Sequence, residues 1–412
     1  MVRRLRHHDS GVVVEAYLGD WLNLLARWLH MIAGIAWIGS SFYFIWLDNH
    51  IEPSSTHMHD GERISGELWS VHGGGFYLAR KYDPAPRVLP ESLHWFKWEA
   101  YWTWLSGMIL LILIYWSGAE VYLVDPNVAG VSPQVAVAIA AAFVAGGWFV
   151  YDLLCRLPLA SNGTVFGVVL LALASLLAWG LCHLFSGRAA YIHFGAVLGT
   201  IMVANVFFVI IPGQRKMVMA AERGEMPDGA YGIRAKRRSV HNTWFTLPVL
   251  FTMTSHHFAM TYGHKYNWAI LIAVSLAGVL IRLYFVGRQK GEGSLAAAVA
   301  ALVLIAAVAV LIAPRNVDAV PKDAVSFGEV RVIVQHRCTV CHSTQPTYAA
   351  FPAPPGGVVL DTDAQIAAEA RRIHQQTVVT RVMPIANLTG MSEEERTALD
   401  RWYLQSGVGR DG

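Results

Sequence analysis

The sequence predicts an all-α protein, a polytopic membrane helix bundle of about eight spans followed by a small soluble domain. Three observations predict it. Of the 412 residues, 54% are hydrophobic and only 15% charged, and the mean hydropathy is +0.39, which departs from soluble averages toward the membrane class. The apolar residues gather in stretches of about 20, the length that crosses a bilayer as a helix. The final stretch breaks this pattern and contains "QHRCTVCHST" at 335–344. A CxxCH run is the attachment signal of a covalent haem c, so the tail reads as a class I cytochrome c-like domain.

Eight spans are expected, at roughly 18–47, 95–117, 134–157, 164–185, 188–212, 239–262, 267–288 and 293–313, most of them rimmed with Trp and Tyr. The basic start "MVRRLRHH" lacks a compact apolar segment with a small-residue cleavage site. It is therefore expected to stay, with the first span as an uncleaved signal. The first and fifth spans, and the second and sixth, place a histidine at corresponding depths, which hints at two four-helix halves of parallel topology. The eighth, "LAAAVAALVLIAAVAVLIA", carries no polar side chain and serves as an anchor.

Loop charge sets the orientation. The connection after the fifth span holds Arg215, Lys216, Arg223, Arg234, Lys236, Arg237 and Arg238, so that side is cytoplasmic and both termini lie outside. This agrees with the tail, because covalent haem is attached on the outer face of the bacterial inner membrane. The expected organisation is an integral membrane catalytic domain at 1–313, a linker at 314–326 and a periplasmic cytochrome c domain at 327–412. A net charge of +3 gives no reason to expect nucleic acid, and the expected environment is membrane lipid. Cys155 and Cys182 stand singly in apolar runs and read as packing residues.

In the tail, Cys338 and Cys341 would hold the porphyrin and His342 would ligate its iron. The sixth ligand is expected to be Met383, in "VVTRVMPIANLTG", because a His/Met pair suits an electron carrier. The last helix starts on a capping box, Ser392 to Glu395, and brings Trp402 and Tyr403 to pack on the first tail helix. A zinc site would need a second ligand pair that this segment lacks.

Ionisable groups inside spans are costly, so each is a functional candidate. On the first span Arg27, His30 and Gly34 share a face. His30, with His193, His256 or His257 as partner, offers ligands for a second, non-covalent haem b, and Arg27 could meet a propionate. Hydrogen bonding across helices, or substrate binding, is the alternative use of these histidines. A second cluster gathers at the cytoplasmic ends: His94, Lys97 and Glu99, Asp152 and Arg156, His241, and Arg282. The preceding loop adds "SVHGGGFYLARKYDP", with His72 before three glycines. Basic groups, amide donors and aromatic faces suit a planar anionic heterocycle. For Lys97, Arg156 and Arg282 the simpler reading is snorkelling at the interface, with Asp152 and Arg156 a helical ion pair.

The order of these parts, a His- and Trp-rich first span, "HGGGFY", eight spans and a tail with "CTVCH" and "VMP", resembles the bacterial membrane-bound urate hydroxylase (urate oxidase) family, which carries a C-terminal cytochrome c domain. The resemblance implies hydroxylation of urate to 5-hydroxyisourate, with water as oxygen source, electrons passed to haem c and no hydrogen peroxide formed. Under it, His72, His94, His241 and Glu99 become the catalytic candidates, and a soluble cytochrome c or terminal oxidase the downstream partner. The span "RWLHMIAGIAWIGSSFYFIW" is also similar to the opening helix of the bacterial membrane protoporphyrinogen oxidase type, which implies haem at His30. Two rival readings are a membrane electron conduit from quinol to cytochrome c and a haem-regulated transporter.

Overall fold

The computed structural model describes residues 5–53, 58–59, 62–86, 88–313 and 324–406. Helix α1 runs Leu5–His50. A three-stranded antiparallel sheet follows, β1 (Met58–His59), β2 (Glu62–His72) and β3 (Gly75–Tyr82), in the order β1-β2-β3. Helix α2 (Trp98–Leu110) continues as a π-helical turn, Leu111–Trp116, to the short α3 (Ala119–Tyr122). Next come α4 (Pro133–Arg156), α5 (Gly163–Leu184) and α6 (Gly187–Ala204), the last passing through a second π turn (Asn205–Ile210) into α7 (Ile211–Glu222). Helices α8 (Gly229–Ser255), α9 (Ala259–Tyr262), α10 (Asn267–Gln289) and α11 (Leu295–Leu311) complete the bundle.

Among the described residues six helical segments are long and apolar enough to cross a membrane: Leu18–His50, Trp98–Trp116, Pro133–Arg156, Gly163–Leu184, Gly187–Glu222 and Asn267–Gln289. The other two expected spans are helical but differ in kind. Helix α11 has only 17 residues. Helix α8 is too polar, since it buries Arg238, His241, Asn242, Thr243, Thr246 and Thr252. That polarity is tolerated because α8 packs inside the bundle, against α6, α7 and α10. The segment from Gly187 to Glu222 is the centre: 67% of its apolar window is buried, against 6% for α1. A side-chain carbon at Gly195 would overlap the Thr252 hydroxyl, so glycine sets the close approach of α6 to α8.

The expectation of an all-α chain is corrected by the sheet in the first connection. Strands β2 and β3 pair in register from Leu68↔Ala79 to His72↔Gly75. They are joined through Gly73 (φ +56) and Gly74 (φ +81). A two-residue hairpin turn with positive φ at both positions strongly favours glycine. Asp48, near the end of α1, ties this sheet to the bundle by pairing with Lys81 and, at 2.8 Å, with Lys236.

The tail forms a separate helical unit. Its helices are α12 (Phe327–Arg337), α13 (Asp363–Ala368), α14 (Ala370–His374) and α15 (Glu393–Gln405). Ser326 and Ser392 each begin a helix with a capping box. Val330, Val334, Leu360, Ile366, Leu399 and Trp402 form its own core. The expected linker lies outside the described residues as far as 323. The 380–387 segment of the tail rests on the end of the bundle that holds α3 and α9. Val382 packs against the bundle core, the Ile385–Asn387 turn meets α3, and a side-chain carbon at Gly263 would strike the Thr380 carbonyl.

Candidate functional site

Helix α12 stops at Cys338, and the chain turns so that the His342 amide donates to the Cys338 carbonyl at 2.8 Å. This puts Cys338, Cys341 and His342 on one wall of a pocket that Phe351, Pro355, Ile385 and Leu388 also line, together with Met383. His342 Nδ1 lies 3.2 Å from the Val358 carbonyl. Donation there fixes the tautomer and leaves Nε2 as a free lone pair. Met383 is held from its backbone: its amide donates to Gln376 at 3.0 Å, and the buried Arg396 donates to its carbonyl at 3.0 Å. Burial pushes the Cys338 thiol up to about 12 and moves Cys341 upward too, and neither is in a disulfide. Two thiols, an imidazole with one free nitrogen and a thioether around an apolar slot fit a covalently attached haem.

A second constellation lies in the half of the bundle where α4 ends and α8 begins. Arg238 donates to Asp152 at 2.5 Å and to Asn205 Oδ1 at 3.2 Å. Asn205 Nδ2 donates to the Tyr151 hydroxyl at 3.2 Å and to Asn242 Oδ1 at 2.9 Å. Tyr151 lies 2.8 Å from His241 Nδ1. The hydroxyl thus accepts from Asn205 and joins His241 through Nδ1 in one hydrogen-bonded chain. Phe166 stacks on the His241 ring at 4.8 Å. All six polar residues are buried. Asn205 opens the π turn of the central helix, a distortion that often marks functional positions.

The other expected site residues are placed as follows. His241 belongs to the network just described, but the convergence of His72 and His94 on it is not found. His72 is exposed at the hairpin end, where Gly73 and Gly74 make a chain reversal. His94 is exposed before α2, edge-on to Phe96 at 4.6 Å. Glu99 sits in the first turn of α2 with Oε2 buried and without a hydrogen-bond partner among the described residues.

His30 Nδ1 lies 2.9 Å from the Thr103 carbonyl and 3.1 Å from Ser106 Oγ, with the ring against Gly107. Its Nε2 has no hydrogen bond among the described residues. Arg27 is exposed and donates to Asn23 at 2.6 Å. His193 is fully buried, with Nδ1 2.8 Å from the Ala189 carbonyl and Nε2 accepting from Trp116 at 3.1 Å. Both its ring nitrogens thus have protein partners. His30 and His193 meet different parts of the second span, His30 at Gly107 in α2 and His193 at Trp116 at the end of the π turn.

With this geometry in place, comparison with protein families gives one match, the model of the urate oxidase N-terminal domain, over residues 16–313. The chain belongs to this family. No curated protein and no solved structure matches it. The urate oxidase family model spans the helices of the bundle and ends before the tail, so it links urate-related oxidation to the part that holds the Tyr151–His241 network. Membership supports an oxidoreductase.

Sequence reasoning missed Tyr151, Asn205 and Asn242 and counted Arg238 as a loop charge. Asn205 had a readable signal, since it interrupts the apolar run "GTIMVANVFFVII". An amide in such a run calls for a partner. Asp152, expected as a helical ion pair with Arg156, in fact bridges Arg156 at 2.7 Å and the buried Arg238 at 2.5 Å.

Proposed function

We propose that this protein is a membrane-bound urate hydroxylase. It oxidises urate to 5-hydroxyisourate in its helical bundle and passes the electrons to a haem c on its tail. The carrying observation is that a bundle of the urate oxidase family is joined to a pocket gathering Cys338, Cys341, His342 and Met383, with the Met383 segment resting on the bundle. The reaction adds water to urate and releases two electrons and two protons. Dioxygen is not reduced, so no hydrogen peroxide forms. A haem bound by Cys338 and Cys341, with His342 and Met383 on its iron, supplies a one-electron acceptor.

The chain's own residues handle the protons. The His241 imidazole, hydrogen-bonded to Tyr151 through Nδ1, carries one unprotonated nitrogen at a time and so can accept a proton that the reaction releases and hand it on. Arg238 and Asn205 orient Tyr151, and burial keeps bulk water from the pair. Among the described residues His30 keeps Nε2 unengaged, and it is the candidate ligand for a haem b, with Arg27 three residues away to meet a propionate.

The basic connection around α7 supports a cytoplasmic position for that side in a bacterial inner membrane, with the tail in the periplasm. A soluble cytochrome c or terminal oxidase is the proposed acceptor beyond the tail. Anaerobic urate added to the purified protein tests the reading through the haem absorption. Reduction by urate supports it; reduction by quinol alone would mark an electron conduit. A pyridine haemochrome spectrum counts the b- and c-type haems.

A further inference from the structure

Resting on the urate reading above, the structure assigns Arg282 as the residue that binds the substrate's anionic edge. Arg282 lies on α10, about two turns before that helix ends at Gln289, and is only 6% exposed. It does not snorkel to the interface. Its guanidinium carbon sits 3.7 Å from the centroid of the Phe42 ring on α1. Nε and Nη2 are both buried and have no hydrogen-bond partner among the described residues. No ion pair to Arg282 is formed there either, in contrast to Arg238, which is matched by Asp152.

The two unpartnered nitrogens, Nε and Nη2, lie along one edge of the guanidinium plane, the edge that grips a carboxylate with two parallel hydrogen bonds. The Phe42 face attracts the charge but accepts neither in-plane N–H. A buried cation with an unmet two-pronged edge is costly to hold, and an anion of matching bite would relieve that cost. The urate anion supplies one: a deprotonated ring nitrogen and the neighbouring carbonyl oxygen are separated by one carbon, as the two oxygens of a carboxylate are. Ser275 stands two turns earlier on the same face of α10, and its Oγ is likewise buried without a partner among the described residues. Two turns of helix separate the two residues by about 10 Å along the axis. A planar ligand carrying polar groups at both ends can meet both.

The test is equilibrium binding of radiolabelled urate to the full-length, haem-loaded protein in detergent, alongside its Arg282→Met and Arg282→Lys variants. Haem absorption and thermal unfolding serve as controls on folding. Loss of a charge-assisted two-pronged contact is expected to weaken urate binding at least about tenfold in Arg282→Met. Arg282→Lys, a point charge without the fork, is expected to weaken it less, and it decides the matter if the methionine variant does not fold. Wild-type affinity in the folded variant overturns the assignment while leaving the proposed function intact. A wild-type protein that neither binds nor oxidises urate contradicts the function itself.

Discussion

A buried charge needs a partner, and the bundle meets this need at Arg238 while leaving it unmet, among the described residues, at Arg282. Asp152→Leu strands the Arg238 guanidinium and is expected to cost about 3–5 kcal/mol. The double variant Asp152→Leu/Arg238→Met should recover most of that loss, which thermal unfolding in detergent can check. At the proton-handling pair, His241→Ala is expected to lower kcat for urate by about 10²–10⁴. Tyr151→Phe removes only the hydroxyl that orients the imidazole, so a drop of about tenfold is expected. In both, the haem spectrum and its reduction by dithionite should be unchanged. A wild-type kcat in His241→Ala would remove the histidine from the reaction.

At the scale of elements, the hairpin and the expected ligand loop make opposite demands on the same glycines. As a turn with positive φ at Gly73 and Gly74, it predicts that His72→Ala keeps urate kcat/KM within about twofold, since the side chain is exposed. Gly74→Val should instead loosen the hairpin, seen as faster amide exchange between β2 and β3. A large loss of turnover in His72→Ala would return the loop to the active site. The strand pattern was legible: "LWSVH" and "GFYLARKY" flank a Gly-Gly pair, the usual punctuation of a hairpin. The three glycines drew attention to ligand approach and away from the alternation beside them. The apolar helices were legible because length and hydropathy alone mark them. Helix α8 was harder, since its buried Asn and Thr groups have meaning only against the α6 face that meets them. In the tail, spacing along the chain pointed to Cys338, Cys341, His342 and Met383, because attachment chemistry dictates the spacing of the first three. The pairing of Tyr151 with His241 spans 90 residues and leaves no local pattern to read.

For the whole molecule, the family match covers the bundle, and the tail pocket is where the proposed electron acceptor would sit; the docking between them carries the functional argument. That contact is close at Gly263, where any side chain meets the Thr380 carbonyl. Gly263→Val is expected to slow electron delivery to the tail while leaving urate binding and the haem spectrum as they are, measurable by stopped-flow absorption. The most direct measurement is anaerobic mixing of oxidised protein with urate, monitored at the haem c absorption bands. The account predicts that urate reduces the haem, that 5-hydroxyisourate appears with one molecule formed per two electrons, and that no peroxide is produced. Product formation that proceeds unchanged when His342 is replaced and the haem is lost would contradict it.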